Sequence, residues 1–347
     1  MKLNKALLGG VFALGVLSSS GSVKTELRVY TWSDYFDASV LAQFERLHDC
    51  RVRIETFDSN EAMCAKLLAG SAGYDVITPS TYMIQAMIDK RLIQALDISK
   101  LPNVLKNIDK TYANCIFDPS FEYSVPYVVN YAGLAYRKDR LKEPPASWRI
   151  FEDVRYRGQM SILDDPRETI GIALLTLGHS VNSTSAAEID KAVNLLLTWR
   201  ANVAKFDNER YKSAVAGGEW AVGHGYFSDS IQIVMKDREH VGFVLPQEGF
   251  TISADEFVVA AGSSKADLAH AFINFMYSAE SAKANMASIC ATMPVAPALA
   301  ALEPALKEVL CLSSDTLKRG EVIRGFEGKP EARKLYGAAW KRVNGGK

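Results

Sequence analysis

Four short corners of the chain gather acids, hydroxyls and aromatic rings: Trp32-Ser33-Asp34-Tyr35, Ser80-Thr81-Tyr82, Asp164-Asp165-Pro166-Arg167-Glu168, and Tyr226 to Asp229. A further acid, Asp255, opens a strand-like run. Taken singly, each corner reads as a turn or a helix start. Asp and Ser accept from the free N–H groups of a first helical turn, and Tyr commonly packs with its hydroxyl wet. Taken together, the corners stand at the C-terminal ends of short strands, the rim where α/β sheets hold ligands. Asp34, Asp165, Glu168, Asp229 and Asp255 would raise one another's pKa unless a cation sat between them. A flexible diamine or triamine meets that need. Its ammonium ends take charge-assisted bonds from carboxylates, and its methylenes lie along Trp32, Tyr35, Tyr82 and Tyr226, with cation–π attraction near the ends. An anion would want bare N–H groups and arginines, and Arg167 is the one arginine within these corners. A metal stays open, but oxygen sites need tighter convergence than this spacing shows.

Catalytic patterns are weaker. The five histidines (His48, His179, His224, His240 and His270) show no His-Glu-x-x-His spacing, and there is no Gly-x-Ser-x-Gly elbow. Gly223-His224-Gly225 is too short for a dinucleotide fingerprint; His224, the best triad candidate of the five, reads more simply as a structural residue. Asp164-Asp165 can be drawn as a paired-carboxylate glycosidase site, but nothing supplies the sugar-binding context. No cofactor is expected. Lysine plus arginine equals aspartate plus glutamate at 40 each, which argues against a generic binder of nucleic acid or anionic membrane.

The elements that must position these corners follow from the periodicity. With 347 residues the chain can bury two cores, so two lobes are expected. Strand patterns at 27–30, 52–57 and 74–78 alternate with helical ones at 38–47, 59–68 and 83–90, the grammar of a parallel α/β lobe. The first helix should bury Val40, Leu41, Phe44 and Leu47. Ser124 through Tyr136 reads as a strand pair crossing between lobes. A second α/β unit then follows: strands at 158–163, 220–226, 243–246 and 255–260, helices at 169–177, 190–197 and 211–216. At the start, Met-Lys-Leu-Asn-Lys, the apolar run 6–17 and small residues 18–22 read as an export signal at residues 1–22, too short for a span. Leu17-Ser18-Ser19-Ser20 looks like a lipoprotein site with serine where the acylated cysteine would stand, so a lipid anchor is expected if Ser20 replaces a native cysteine. Cys290 and Cys311 could pair; the five cysteines are odd in number and form no framework.

At these corners the chain resembles the polyamine-binding family of extracytoplasmic solute-binding proteins, the spermidine- and putrescine-binding components of ABC importers. The resemblance is carried by Trp32-Ser33-Asp34-Tyr35, Asp58-Ser59-Asn60-Glu61, Tyr74 to Tyr82, Leu101-Pro102-Asn103, Ser124 to Tyr127, Asp164 to Glu168, Pro246-Gln247-Glu248-Gly249 and Lys318-Arg319-Gly320-Glu321, in order along nearly the whole mature chain. It implies a two-lobed Venus-flytrap (periplasmic-binding-protein) α/β fold: mixed, mostly parallel sheets with helices on both faces, and a hinge of crossing strands near residues 128 and 254. The lobes would be 25–128 plus 255–299, and 129–254 plus 300–347. It implies a ligand site of Trp32, Ser33, Asp34, Tyr35, Ser80, Tyr82, Asp165, Glu168, Tyr226, Asp229 and Asp255, with Asp255 as the central amine anchor. It also implies a monomer outside the cytoplasmic membrane or in the periplasm that is no enzyme and hands a polyamine to the membrane subunits of a permease. Three positions depart from the family pattern: Ser253 replaces a second tryptophan, Thr292 stands near a usual tyrosine, and Ile323 falls where glutamine is typical. Carboxylates of the spermidine and putrescine subtypes occur together, so the ligand stays open between them. A receptor for another small organic cation, or a hydrolase using the same cleft, is the alternative.

Overall fold

The computed structural model describes residues 24–345 apart from 71–72, 116–117, 119 and 327–328; the expected signal at 1–22, Ser20 included, lies outside the described residues. Eleven strands are present among them: β1 (Thr25–Thr31), β2 (Cys50–Thr56), β3 (Val76–Ile77), β4 (Ile93–Gln94), β5 (Val125–Arg137), β6 (Met160–Ile162), β7 (Lys205–Phe206), β8 (Val222–Tyr226), β9 (Val241–Val244), β10 (Phe250–Ala260) and β11 (Gly320–Val322). The main path runs β2-β1-β3-β10-β5-β8-β6-β7. At one end β1 pairs in parallel with β2 and β3, and at the other β6 pairs in parallel with β7 and β8. The two long strands in the middle, β5 and β10, run antiparallel to each other and to their flanking neighbours.

The expected strand pair over 124–136 is instead one strand, β5, buried at every one of its 13 positions. Pro126, which has no N–H to give a ladder, sits opposite Glu256 where the register shifts between Asp255 and Glu256. A bulge is where a sheet tolerates a proline. Just beyond it, Val128 pairs with Asp255 and Val129 with Ala254. The end of β10 (Val258, Val259) continues into β3, and the second half of β5 (Ala132 to Tyr136) continues into β8. The two strands therefore exchange neighbours across the middle of the molecule, at the residues where the crossing was expected.

Helices form and stop where their end residues dictate. Helix Ala38–His48 starts at Asp37, whose carboxylate accepts from the N–H of Ser39 and Val40, and it stops at Asp49 in the left-handed region. It buries Val40 and Phe44, but Leu47 is 64% exposed, a correction to the expected face. Helix Asn60–Leu68 is capped by Ser59 and leaves Leu68 exposed. In the other half Trp148 is fully buried and donates its indole N–H to the Gly249 carbonyl at 2.9 Å. Helix Pro330–Asn344 packs on helices Ala186–Arg200 and Pro166–Thr176. Cys290 and Cys311 are free thiols rather than a pair, as are Cys50 and Cys64. Among the described residues no helix is long and apolar enough to cross a membrane.

Candidate functional site

A cavity of about 60 Å³ opens between the two halves of the sheet. Trp32, Ser33, Tyr35, Ser80 and Tyr82 wall it from the β1–β3 side, Asp165, Glu168, Tyr226 and Asp229 from the β6–β8 side, and Asp255 lies between. Ten of the eleven residues expected from the sequence line this one space. Asp34 does not. It is exposed in the turn after β1 with φ 55°, and its charge is felt instead at Lys212.

Asp255 is buried on β10 and held from two directions. Ser80 Oγ donates to Oδ1 at 2.6 Å, and the Tyr35 hydroxyl donates to Oδ2. The Trp32 indole N–H is turned toward the same carboxylate and helps to stabilise its charge, without closing a bond of ordinary geometry. Burial outweighs these donors and pushes Asp255 up to about 6. Ser80 is itself fixed by Asn60, which accepts from the Ser80 N–H at 3.0 Å and donates to Ser80 Oγ at 3.0 Å and to the Tyr82 hydroxyl at 2.9 Å. Tyr35 is fixed through its carbonyl, which accepts from the Tyr127 hydroxyl at 2.7 Å. Trp32 packs edge-on against Phe57, with ring centres 4.4 Å apart.

Across the cavity Asp165 serves two masters. Its Oδ1 caps helix Pro166–Thr176, accepting from the N–H of Arg167 at 2.8 Å and of Glu168 at 3.1 Å, while Oδ2 accepts from the Tyr226 hydroxyl at 3.2 Å. Glu168, one helical turn on, accepts from the Thr251 hydroxyl. Burial raises both acids, and with Asp165 beside it Glu168 reaches about 8. Arg167 faces away. It donates to the Arg324 carbonyl at 2.7 Å and to Asn182 Oδ1 at 3.0 Å, with its guanidinium 4.2 Å over the Phe326 ring. Asp229 sits in the first turn of helix Phe227–Lys236, where burial raises its pKa against the pull of Lys212. It accepts from the Tyr211 hydroxyl at 3.2 Å and lies 3.6 Å from Lys212 Nζ.

Lys212, Asn60 and Asn130 also line the cavity and are not among the eleven residues expected there. Asn60 had a signal, a polar residue in a first turn that turns out to be 2% exposed. Lys212 had none, since it follows an ordinary helical pattern between Tyr211 and Ala214. Of the three departures, Ser253 lines the cavity, whereas Thr292 is spent on the Leu310 carbonyl at 2.8 Å and Ile323 is buried outside it. His224 is fully buried against Trp148, is lowered to about 3 by burial, and lies off the cavity wall. The arrangement is therefore a small chamber with several enclosed carboxylates, hydroxyls aimed at them and aromatic walls. Among the described residues it has no cluster fit to hold a metal.

Residues 39–309 match the model of the family described as bacterial extracellular solute-binding protein. The putrescine/cadaverine-binding protein of Pseudomonas aeruginosa is 34% identical, covering 98% of this chain and 99% of its own. The spermidine/putrescine-binding periplasmic protein of Escherichia coli is 31% identical, covering 91% of each. Among solved structures, a putative spermidine/putrescine ABC transporter protein of Listeria monocytogenes superposes with a TM-score of 0.85 at 29% identity, over 92% of this chain and 99% of that one. The TpPotD lipoprotein of Treponema pallidum does so with a TM-score of 0.83 at 32% identity, over the same shares. The crossing strands, the interlobe chamber and the match along most of the chain lead to one conclusion: this chain belongs to the bacterial extracellular solute-binding proteins and has their two-lobed fold.

Proposed function

We propose that the protein captures a polyamine outside the cytoplasmic membrane and delivers it to the membrane subunits of an ABC importer. The observation that carries this reading is the set Asp165, Glu168 and Asp255. These acids are enclosed in one chamber, all three pushed upward by burial, and among the described residues none forms an ion pair with a lysine, arginine or histidine. Burying carboxylates without counter-ions is costly, and a linear cation with ammonium groups at its ends would relieve the cost. The names of the relatives above support the same ligand class.

In this reading Asp255 takes one ammonium, with Trp32 and Tyr35 beside it, and Asp165 and Glu168 take another, with Tyr226 and Tyr82 over the methylenes. The lobes are 25–128 plus 255–299 and 129–254 plus 300–347, and they close about β5 and β10 when the ligand favours the closed form. No bond is made or broken. A hydrolytic role for the same cleft would need a nucleophile paired with a base, and the histidine with the best sequence context, His224, is buried elsewhere. The test is calorimetric titration of the ligand-free protein with putrescine and with spermidine, alongside Asp255→Asn. One-to-one binding of at least one amine, weakened about 30-fold or more in the variant, is expected, because removing one partner of an enclosed charge pair costs about 2–5 kcal/mol. A folded, ligand-free sample giving no heat with either amine would remove the reading.

A further inference from the structure

We propose that Lys212 acts as a built-in ammonium at one end of the chamber, so that the site accepts a linear diamine of four or five carbons and turns away longer triamines. This rests on the polyamine reading and narrows it to a ligand class. Lys212 Nζ lies 2.9 Å from Glu209 Oε2 and 3.6 Å from Asp229 Oδ2, with its side chain 21% exposed. The Asp34 charge adds to the field that holds it positive. Lys212, Glu209 and Asp229 all face the chamber. The acids at this end are therefore supplied with a cation by the protein itself. At the other positions, Asp255 on the crossing strand and Asp165 with Glu168 across from it, no lysine or arginine stands within ion-pair reach among the described residues; the Arg167 charge eases Asp165 and Glu168 from behind, while its guanidinium donates to Arg324 and Asn182 rather than to them. Two open ammonium positions and one filled one remain.

Ligand charge agrees with that count. A four- or five-carbon diamine carries two ammonium groups, one for each open position, whereas a triamine such as spermidine carries a third. A third ammonium extended toward Asp229 would also meet the Lys212 charge at short range and be repelled. Removing that lysine leaves Asp229 and Glu209 unpaired and frees the space its side chain occupied, so the same end becomes a third ammonium site.

The test is competition calorimetry with 1,4-diaminobutane, 1,5-diaminopentane and spermidine on ligand-free wild type, Lys212→Ala, Lys212→Gln and Lys212→Arg, each shown to be folded by near-ultraviolet circular dichroism. Wild type is expected to prefer the better diamine over spermidine by tenfold or more. Lys212→Ala and Lys212→Gln should cut that preference at least tenfold, and Lys212→Arg should keep it. Spermidine binding to wild type as tightly as the diamines would overturn the proposal, whatever the variants do. A preference unchanged in both charge-removing variants would do the same. Silence with all three amines is a different outcome: it removes the polyamine reading itself, and this proposal with it.

Discussion

Ligand binding should be steeply dependent on pH, with a slope that can be worked from the enclosed acids. In the empty protein Glu168 is pushed up to about 8 and Asp255 to about 6. An ammonium ligand binds the ionised carboxylates, so each proton held in the empty site must leave first. At pH 7, a group at about 8 holds its proton roughly nine times in ten, and one at about 6 roughly one time in ten. Binding at pH 7 should therefore release about one proton per ligand. Between pH 8 and pH 6 the ionised fraction of Glu168 falls about 50-fold and that of Asp255 about twofold, so affinity should fall about 100-fold. The amines keep their charge throughout this range. The assay is calorimetry at pH 7 in two buffers of different ionisation heat, with dissociation constants measured from pH 5.5 to 8.5. Glu168→Gln should flatten the profile above pH 7 and leave the shallower dependence that belongs to Asp255. Affinity that stays level from pH 6 to 8, with heats indifferent to buffer, would rule out protons held on Glu168 and Asp255 in the empty site.

The same acids reverse the usual pH dependence of stability. Their folded-state pKa values lie above the ordinary 4.5 and 3.8, so between roughly pH 4.5 and 8 the folded empty protein binds more protons than the unfolded chain and loses stability as pH rises. Thermal melting of ligand-free protein should drop from pH 5 to pH 8 and recover on adding the amine; a melting point that holds or rises would count against the buried, unpaired carboxylates. Gly225→Ala would place a Cβ 2.2 Å from Tyr211 Cε2, against the ring whose hydroxyl receives the Tyr226 N–H and donates to Asp229. Urea titration should show a loss of about 1–3 kcal/mol, with amine affinity falling as well, and a variant matching wild type in both would show that Tyr211 shifts freely.

Much of this site was legible because one residue type at one kind of place is a strong signal. Trp32, Tyr35, Ser80, Tyr82, Asp165, Glu168, Tyr226 and Asp229 were each marked by a strand ending in polar or aromatic residues, and the strand ends of one sheet share a rim. The same logic does not bring Asp34 to the chamber wall, two residues from Trp32: the chain turns there in the left-handed region at φ 55°, and composition carries no trace of which way such a turn sends its side chain. Capping a helix and lining the chamber are also compatible rather than rival readings. Asp165 caps its helix with one oxygen and presents the other to the chamber, while Asp229 lies near a helix start without capping it. Lys212 was invisible because its place at the chamber depends on Asp229, 17 residues on, and on a fold that brings the two within ion-pair reach. Leu47 shows the limit of periodicity. The stripe was read correctly at Val40 and Phe44, but it ended one turn before the helix did.

Asp255 lies at the bulge, where β5 and β10 cross, and a hinge makes that location mechanically special. A contact at the pivot has almost no lever arm: as the lobes swing, its geometry hardly changes. A ligand bound there alone would meet the open and closed forms about equally well and so could not shift their balance, however tightly it held. In the proposed closure, torque would come from farther out, where Asp165 and Glu168 would move through the full arc. The acid at the pivot would then set whether an amine is caught, and the acids on the swinging lobe whether the jaws stay shut. An amine with only one charged end would, on that proposal, be held without closing them.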